Sequence, residues 1–380
     1  MNKLIISLMA LTTIAFSSCE KNEEQNPTDP EIFYTMPDES EPHEGTWLQW
    51  PHQYQYGTAY RNSLDPTWVA MTKALVSSEK VHIIAYNETE KGRIISLLNT
   101  AGIPLDDIDF KIYKTDDVWV RDNGPIYVKD QKGNLVIEDW GFNGWGEKTD
   151  SETGLPITYS KCNIIPAKIA ADQKRTLVDL NSTMINEGGS VEIDGQGTLI
   201  ACKSSILNSN RNPGMTQAQA ESIFKKYLGA THFIWLDGQA GLELTDQHID
   251  GFARFGNSNT IVTMDENSLL DFDVKQRDIN TLFTAKNKNG IPYTFVKVPL
   301  TKNNVKKTDG TDLGYRGSYI NYYIANNKVL VPNYNDPNDS IANQIIQSLY
   351  PTRTVVGIDV RNLYENGGMV HCVTQQQPAS

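Results

Sequence analysis

The sequence predicts a mixed α/β domain, and three observations carry that prediction. Short apolar runs of strand length alternate with amphipathic stretches of helical length along most of the chain. These strands and helices are interleaved rather than segregated. After Pro30, no low-complexity block or long polar linker divides the remainder of the chain. With 380 residues, 39% hydrophobic and 21% charged, the chain has ample material for a buried core. That length admits one large domain or two ordinary ones.

The folded part is expected to begin near Ile32. A helical stretch should run from Pro66 to Ser78, followed by a buried strand over Val81-His82-Ile83-Ile84-Ala85. Lys91 to Thr100 reads as a helix stopped by Ala101-Gly102-Ile103-Pro104. Further strands are expected at Phe110 to Tyr113, Leu135 to Ile137, Thr198 to Cys202, Thr260 to Met264 and Val329 to Val331. Helices should cover Thr216 to Tyr227, opened by Thr in a cap position, and Ser340 to Leu349. Two segments echo one another: Asn186-Glu187-Gly188-Gly189-Ser190-Val191 and Glu365-Asn366-Gly367-Gly368-Met369-Val370. Each is a glycine turn entering a strand-like run, either by chance or as the trace of a structural repeat.

The first residues have a different character. Met1-Asn2-Lys3 is a short positive region, Leu4 to Phe16 is apolar, and Ser17-Ser18 precedes Cys19. Small residues ending at a Cys resemble a bacterial lipobox, whose Cys is acylated and becomes the new N-terminus. The alternative is an ordinary secretory signal with a chance cysteine. The apolar run is too short for a permanent membrane span. Residues 20–30 are polar and Pro-containing, and read as a tether. The expected organisation is a lipoprotein signal at 1–18, a flexible tether at 19–31 from lipidated Cys19, and a single catalytic domain at 32–380. The protein is then exported and lipid-anchored to the outer membrane. An acidic run after Cys19 resembles surface-export signals.

A formal net charge of -12 argues against nucleic-acid binding and suits a cationic small molecule or a basic peptide. Of the four cysteines, Cys19, Cys162, Cys202 and Cys372, three remain if Cys19 is acylated, so at most one disulfide can form. No pair has CxxC spacing. Cys162 and Cys202 sit in contexts that suit buried packing.

The candidate chemistry is carried by polar residues in apolar surroundings. Trp119 to Pro125 has a strand-like start and a Gly-Pro stop, which places Asp122 at a strand end; a turn cap is its plainer role. In Asp246-Gln247-His248-Ile249-Asp250, a strand would put His248 and Asp250 on one face. Cys372 lies in Val370-His371-Cys372-Val373-Thr374, an apolar-flanked strand or turn. Together Cys372, His248, Asp122 and Asp250 form a coherent set. A guanidinium is planar, permanently cationic and donates in a fork, so two carboxylates can hold it flat. Its carbon is a poor electrophile and needs a thiolate, which a cation between the Cys and the Asps helps to stabilise. His248 can protonate the departing ammonia and then activate water. A rival reading makes His248, Asp250 and His371 a two-His, one-carboxylate iron site.

The ordered series of motifs resembles the agmatine deiminase and Porphyromonas-type peptidylarginine deiminase family. It comprises Met36-Pro37, Glu41 to His52, Trp119 to Pro125, Phe142 to Gly146, Glu187 to Ser190 and Asn208 to Pro213. It continues with Asp246 to Asp250, Ser318 to Tyr323 and His371 to Pro378. The resemblance implies a pseudo-fivefold β/α-propeller of ββαβ-type modules around a central active-site channel, with no cofactor. It implies Cys372 as the nucleophile of an amidino-cysteine intermediate, His248 as acid and base, and Asp122 and Asp250 as the guanidinium clamp. Glu187 would line the same pocket, and Trp119 would wall the substrate's aliphatic stem. Gln247 and Glu147 stand where the family often has Gly. The leading expectation is hydrolysis of agmatine to N-carbamoylputrescine and ammonia. Deimination of peptidylarginine or free arginine is the alternative, and a non-catalytic surface binding protein a third.

Overall fold

The fold repeats one small motif. The protein's structure, a computed structural model, describes residues 33–150 and 154–380. The expected signal, tether and Cys19 lie outside the described residues. The strands in chain order are β1 (His43–Gln49), β2 (Lys80–Ala85), β3 (Ile108–Ile112), β4 (Ile126–Lys129), β5 (Leu135–Gly141) and β6 (Leu177–Ile185). They continue as β7 (Val191–Ile193), β8 (Thr198–Cys202), β9 (His232–Leu236), β10 (Ala253–Asn257), β11 (Thr260–Thr263) and β12 (Thr294–Lys297). The last are β13 (Tyr323–Ile324), β14 (Lys328–Asn333), β15 (Thr354–Asp359) and β16 (Gln375–Pro378).

They assemble into five small sheets, none closed on itself: β4-β5-β6, β7-β8-β9, β10-β11-β12, β13-β14-β15 and β16-β1-β2-β3. In each three-stranded sheet the first pair is antiparallel and the second parallel. In the fifth, β16 is the antiparallel partner of β1, and β2 and β3 follow in parallel. A parallel pair needs a crossover, and a helix supplies it each time. The crossovers include Gln53–Leu75, Ile165–Gln173, Gln217–Tyr227, Gln276–Phe283 and Asp339–Leu349. The fold is thus mixed α/β, and residues 33–380 form one compact unit.

Local sequence accounts for much of this. Every residue of β2 except Lys80 is buried, as in a strand covered on both faces, so it reads as a near-continuous apolar run. Thr216 and Gln219 form a reciprocal capping box that starts the helix Gln217–Tyr227. The helix expected at 66–78 instead runs over Gln53–Leu75, with Pro66 inside it and a break at Gly57, whose φ is 83°. The buried stripe Leu64, Trp68, Met71 and Leu75 continues through Pro66, and its packing outweighs the helix-stopping tendency of that ring.

Two further expectations are corrected. Trp119 to Pro125 is not a strand end: Val120–Asn123 is one helical turn. His248 and Asp250 do not share a strand, since Ile249–Gly251 is a turn of 3-10 helix. His371–Val373 is another such turn, the second of the two forms expected for the Cys372 segment. Turns of this length show no periodicity in sequence.

The β1–β2 pair carries a pH-sensitive contact. His82 stacks on Trp47 at 4.4 Å and bonds Glu44 at 2.7 Å and Asp109 at 3.1 Å. Burial disfavours the charged ring, but those two bonds outweigh it and raise the His82 pKa. The His82 bond, with help from Lys80 and against partial burial, brings Glu44 down to about 2. The raised His82 stabilises below its unfolded pKa and loses that effect as pH rises through its folded one. The lowered Glu44 stabilises above its unfolded pKa and loses that effect as pH falls towards about 2. His82→Gln should therefore lower the melting temperature most at about pH 5.5 and least at about pH 9, as read by thermal unfolding.

Candidate active site

Each sheet is entered through a turn, and the turns meet. Val120–Asn123 precedes β4, Gly188–Ser190 precedes β7, Ile249–Gly251 precedes β10 and His371–Val373 precedes β16. Asn321 stands just ahead of β13. These turns carry Asp122, Gly189, Asp250, Cys372 and Asn321, so every sheet contributes a group.

Gly189 shows how tightly three of those groups converge. A Cβ added there would lie 2.7 Å from His248 Nδ1, 2.9 Å from Asp122 Oδ1 and 3.0 Å from Asp250 Oδ2. Only glycine leaves that space open. Asp122 is fixed by two donors, Gly189 N–H at 3.0 Å to Oδ1 and Trp145 Nε1 at 2.9 Å to Oδ2. His248 Nδ1 lies 3.7 Å from Asp122 Oδ1, and its Nε2 is 2.9 Å from Glu187 Oε2. Glu187 is fully buried, and Arg211 Nε donates to its Oε1 at 2.8 Å. Its carboxylate thus faces His248 and Arg211 together.

Cys372 belongs to the same cluster. Its Sγ donates to Asn321 Oδ1 at 3.5 Å, an oxygen that also accepts the His371 N–H at 2.9 Å. Asn321 Nδ2 donates to the Asp250 carbonyl at 3.3 Å, tying the thiol's turn to that of Asp250. Asp250 Oδ2 is 2.7 Å from His371 Nδ1, and His371 Nε2 is 2.8 Å from Glu39 Oε2. Trp119 is buried, meets Trp145 edge-on at 6.4 Å and lies against Gly368, where a Cβ would come within 2.1 Å of the ring. The echoing glycine turns therefore do related steric work: Gly189 leaves room for the polar groups and Gly368 for the indole.

Electrostatics follow from burial and proximity. Desolvation disfavours a charged His248, but Asp122, Glu187 and Asp250 outweigh it and lift the ring to about 9. Burial pushes the Cys372 thiol well above its usual value, and the charges of Asp250 and Asp122 push it further. Asp122 is raised by burial, then by Glu187 and Asp250, with His248 opposing. Against the same burial, the His371 bond and charge hold Asp250 below the ordinary carboxylate range. In this arrangement two carboxylates, an imidazolium and a thiol surround one small space, which suits a planar cation whose carbon is to be attacked.

The sequence reading did not single out Arg211, Asn321, Trp145 or Glu39. Arg211 and Asn321 stand inside motifs of the ordered series, and their burial is what marks them. The shared-iron reading of His248, Asp250 and His371 finds no support, because both ring nitrogens of His371 already face carboxylates. Among the described residues, no group of three or more His, Cys, Asp or Glu is arranged to hold a metal ion. Cys162 and Cys202 are buried and free, with burial lifting Cys162 to about 12.

Glu147 and Gln247 have φ of 54° and 72°, in the left-handed region that favours glycine. Gln247 also buries a side-chain oxygen, Oε1, without a protein partner. Gln247→Gly should therefore stabilise the fold by about 1 kcal/mol, measured by chemical denaturation. A loss of similar size would show that the Gln247 side chain offsets its backbone strain.

The family model for Porphyromonas-type peptidyl-arginine deiminase matches residues 35–378. The chain is 31% identical over 367 residues to the agmatine deiminase of Pseudomonas aeruginosa (strain LESB58), covering 91% of this chain and 96% of that protein. The solved agmatine deiminase of Enterococcus faecalis superposes with a TM-score of 0.77 at 25% identity, over 91% of this chain and 96% of that one. A substrate-bound agmatine deiminase of C. jejuni shares the fold with a TM-score of 0.76 at 24% identity, over 93% and 99% of the two chains. With a family model covering most of its length, this chain belongs to the Porphyromonas-type peptidyl-arginine deiminase family.

Proposed function

We propose that the protein is a hydrolase that removes ammonia from a guanidinium group, with agmatine as substrate and N-carbamoylputrescine as product. The observation that carries this reading is the convergence of Asp122, His248 and Asp250 on Gly189, within electrostatic reach of the Cys372 thiol. The likeness to agmatine deiminases over nearly the whole chain supports the choice of substrate.

In the free enzyme the thiol is protonated and His248 is cationic. A guanidinium held between Asp122 and Asp250 offsets the negative charge that keeps the thiol protonated, so the proton leaves to solvent. The thiolate then attacks the guanidinium carbon to give a tetrahedral adduct. His248 donates its proton to one nitrogen, the C–N bond breaks, and ammonia departs from an amidino-cysteine. Neutral His248 next takes a proton from water, and the hydroxide adds to the same carbon. Collapse breaks the C–S bond as the hydroxyl proton of the adduct leaves to solvent, giving the ureido product, the thiolate and a recharged His248. Glu187, itself anchored by Arg211, keeps the ring oriented throughout. Trp119 walls the aliphatic stem.

We further read the five sheets as blades of a pseudo-fivefold β/α-propeller with the site on its axis. The repeated antiparallel-then-parallel order and the five inward turns support that reading. The N-terminal residues support export, cleavage before Cys19 and lipid anchoring in the outer membrane. An exported enzyme would meet peptides and free arginine, so deimination of peptidylarginine or free arginine is the second reading.

Protein purified in detergent and incubated with agmatine, arginine and an arginine-containing peptide should release ammonia and a ureido product from agmatine at the highest kcat/KM. Cys372→Ala should abolish turnover while leaving the melting temperature within a few degrees of the parent. Preference for the peptide would move the assignment to the second reading, and equal turnover by Cys372→Ala would end the mechanism. Labelled palmitate should enter the protein in bacterial cells and be lost in Cys19→Ala; equal labelling of both would exclude Cys19 as the anchor.

A further inference from the structure

Behind the candidate clamp lies a chain of buried charges that the reaction scheme does not use. Asp250 Oδ2 is 2.7 Å from His371 Nδ1, and His371 Nε2 is 2.8 Å from Glu39 Oε2. Ionised carboxylates only accept hydrogen bonds, so a ring that satisfies both must donate from both nitrogens. All three side chains are almost entirely withdrawn from water. Glu39 is held in turn by Arg254 at 3.0 Å, Arg121 at 3.4 Å and the Ile324 N–H at 2.8 Å.

The other groups around the ring complete the charge set. Arg121 Nε donates to the His371 carbonyl at 3.3 Å, and its Nη1 to Gln376 at 2.8 Å. Glu192 on β7 pairs with Arg254 at 2.9 Å and feels the charge of His371. Asp250 and Arg254 come from the turn and strand of one sheet, Arg121 from the turn before β4, and Glu39 from the segment before β1. Cys372 is the next residue along the chain.

We propose that His371 is a positioning residue: by donating to Asp250 and Glu39 at once, it fixes the Asp250 carboxylate and keeps it ionised to hold the guanidinium. The inference rests on the guanidinium-hydrolase function proposed for this site. Its mechanical content is that Oδ2 of Asp250 cannot rotate away while the imidazole is anchored at its far end. Its electrostatic content is that a buried carboxylate beside a buried cation stays charged where burial alone would neutralise it, in line with the low pKa of Asp250.

The sign of the effect is definite. Both clamp carboxylates must be ionised to bind, and Asp122, raised by burial, sets the acid limb of kcat/KM in the wild type while Asp250 is held low. Without the His371 donor, the Asp250 carboxyl loses that hold and becomes the higher of the two, so the limb moves to higher pH. Gln in place of His presents its amide where Nε2 was, keeping the Glu39 contact and losing that to Asp250. Asn presents its amide where Nδ1 was and keeps a neutral donor to Asp250.

The test compares pH profiles of wild type, His371→Gln and His371→Asn on whichever guanidinium compound the wild type turns over best. In His371→Gln the acid limb should rise by about one pH unit, with KM increasing more than kcat falls. His371→Asn should shift less. Uniform loss of activity with the limb unmoved would overturn the proposal and leave His371 a packing residue. A wild type that turns over no guanidinium compound would instead refute the proposed function. Nitrogen-15 NMR of histidine-labelled wild type is independent of variant folding and of turnover. It should show both ring nitrogens of His371 protonated at neutral pH, and a single protonated nitrogen would overturn the inference.

Discussion

Buried negative charge is the constraint around which this centre is built. Asp122, Glu187 and Asp250 crowd one imidazole in a space almost closed to water. An isolated carboxylate in such surroundings costs several kcal/mol or takes up a proton. Each of the three is therefore given a different answer. Glu187 has Arg211 and His248, Asp250 has His371, and Asp122 has only neutral donors besides the ring at 3.7 Å. The least compensated carboxylate is the one whose pKa burial lifts. A permanent cation would complete what the protein leaves undone there.

The repeating topology explains how such a cluster forms from residues far apart in sequence. One strand of each sheet begins at the meeting point, and the turn that feeds it is held by its neighbours. Helical turns of three or four residues let side chains close to one another in sequence reach different partners. His371 turns to Asp250 and Glu39 while Cys372 reaches Asn321. Glycine at 188, 189 and 368 is required because backbone or rings lie where a Cβ would stand. Main-chain packing and polar geometry are in this sense one design.

How much of this was legible depends on the range of the signal. β8 runs over Thr198–Cys202, as its unbroken apolar run suggests, and Thr216 caps its helix as a local pattern should. The four residues Asp122, His248, Asp250 and Cys372 were named from their chemistry and their ordered motifs, and the structure brings them together. The turns carrying Asp122, His248 and Asp250 were read as strands, while the Cys372 segment reads as strand or turn, because three or four residues contain no measurable period. Glu187 was expected in the same pocket and meets His248, but other partners separated by long stretches of chain were missed. Nothing local to Glu39 indicates that it meets His371, 332 positions away. Nothing near Asn321 indicates that it accepts from the turn holding Cys372.

The pairing of β16 with β1 has a consequence in time. Trp47 Nε1 donates to Gln377 Oε1 across 330 positions, and the register of these two strands sets where the turn before β16 comes to rest. The Cys372 turn is thus positioned by a contact between the first and last strands of the described residues. Asp122, His248 and Asp250 all precede it in the chain. Until β16 docks, those three residues have no thiol seated beside them. Reactivity would arrive in one step, when the last strand docks.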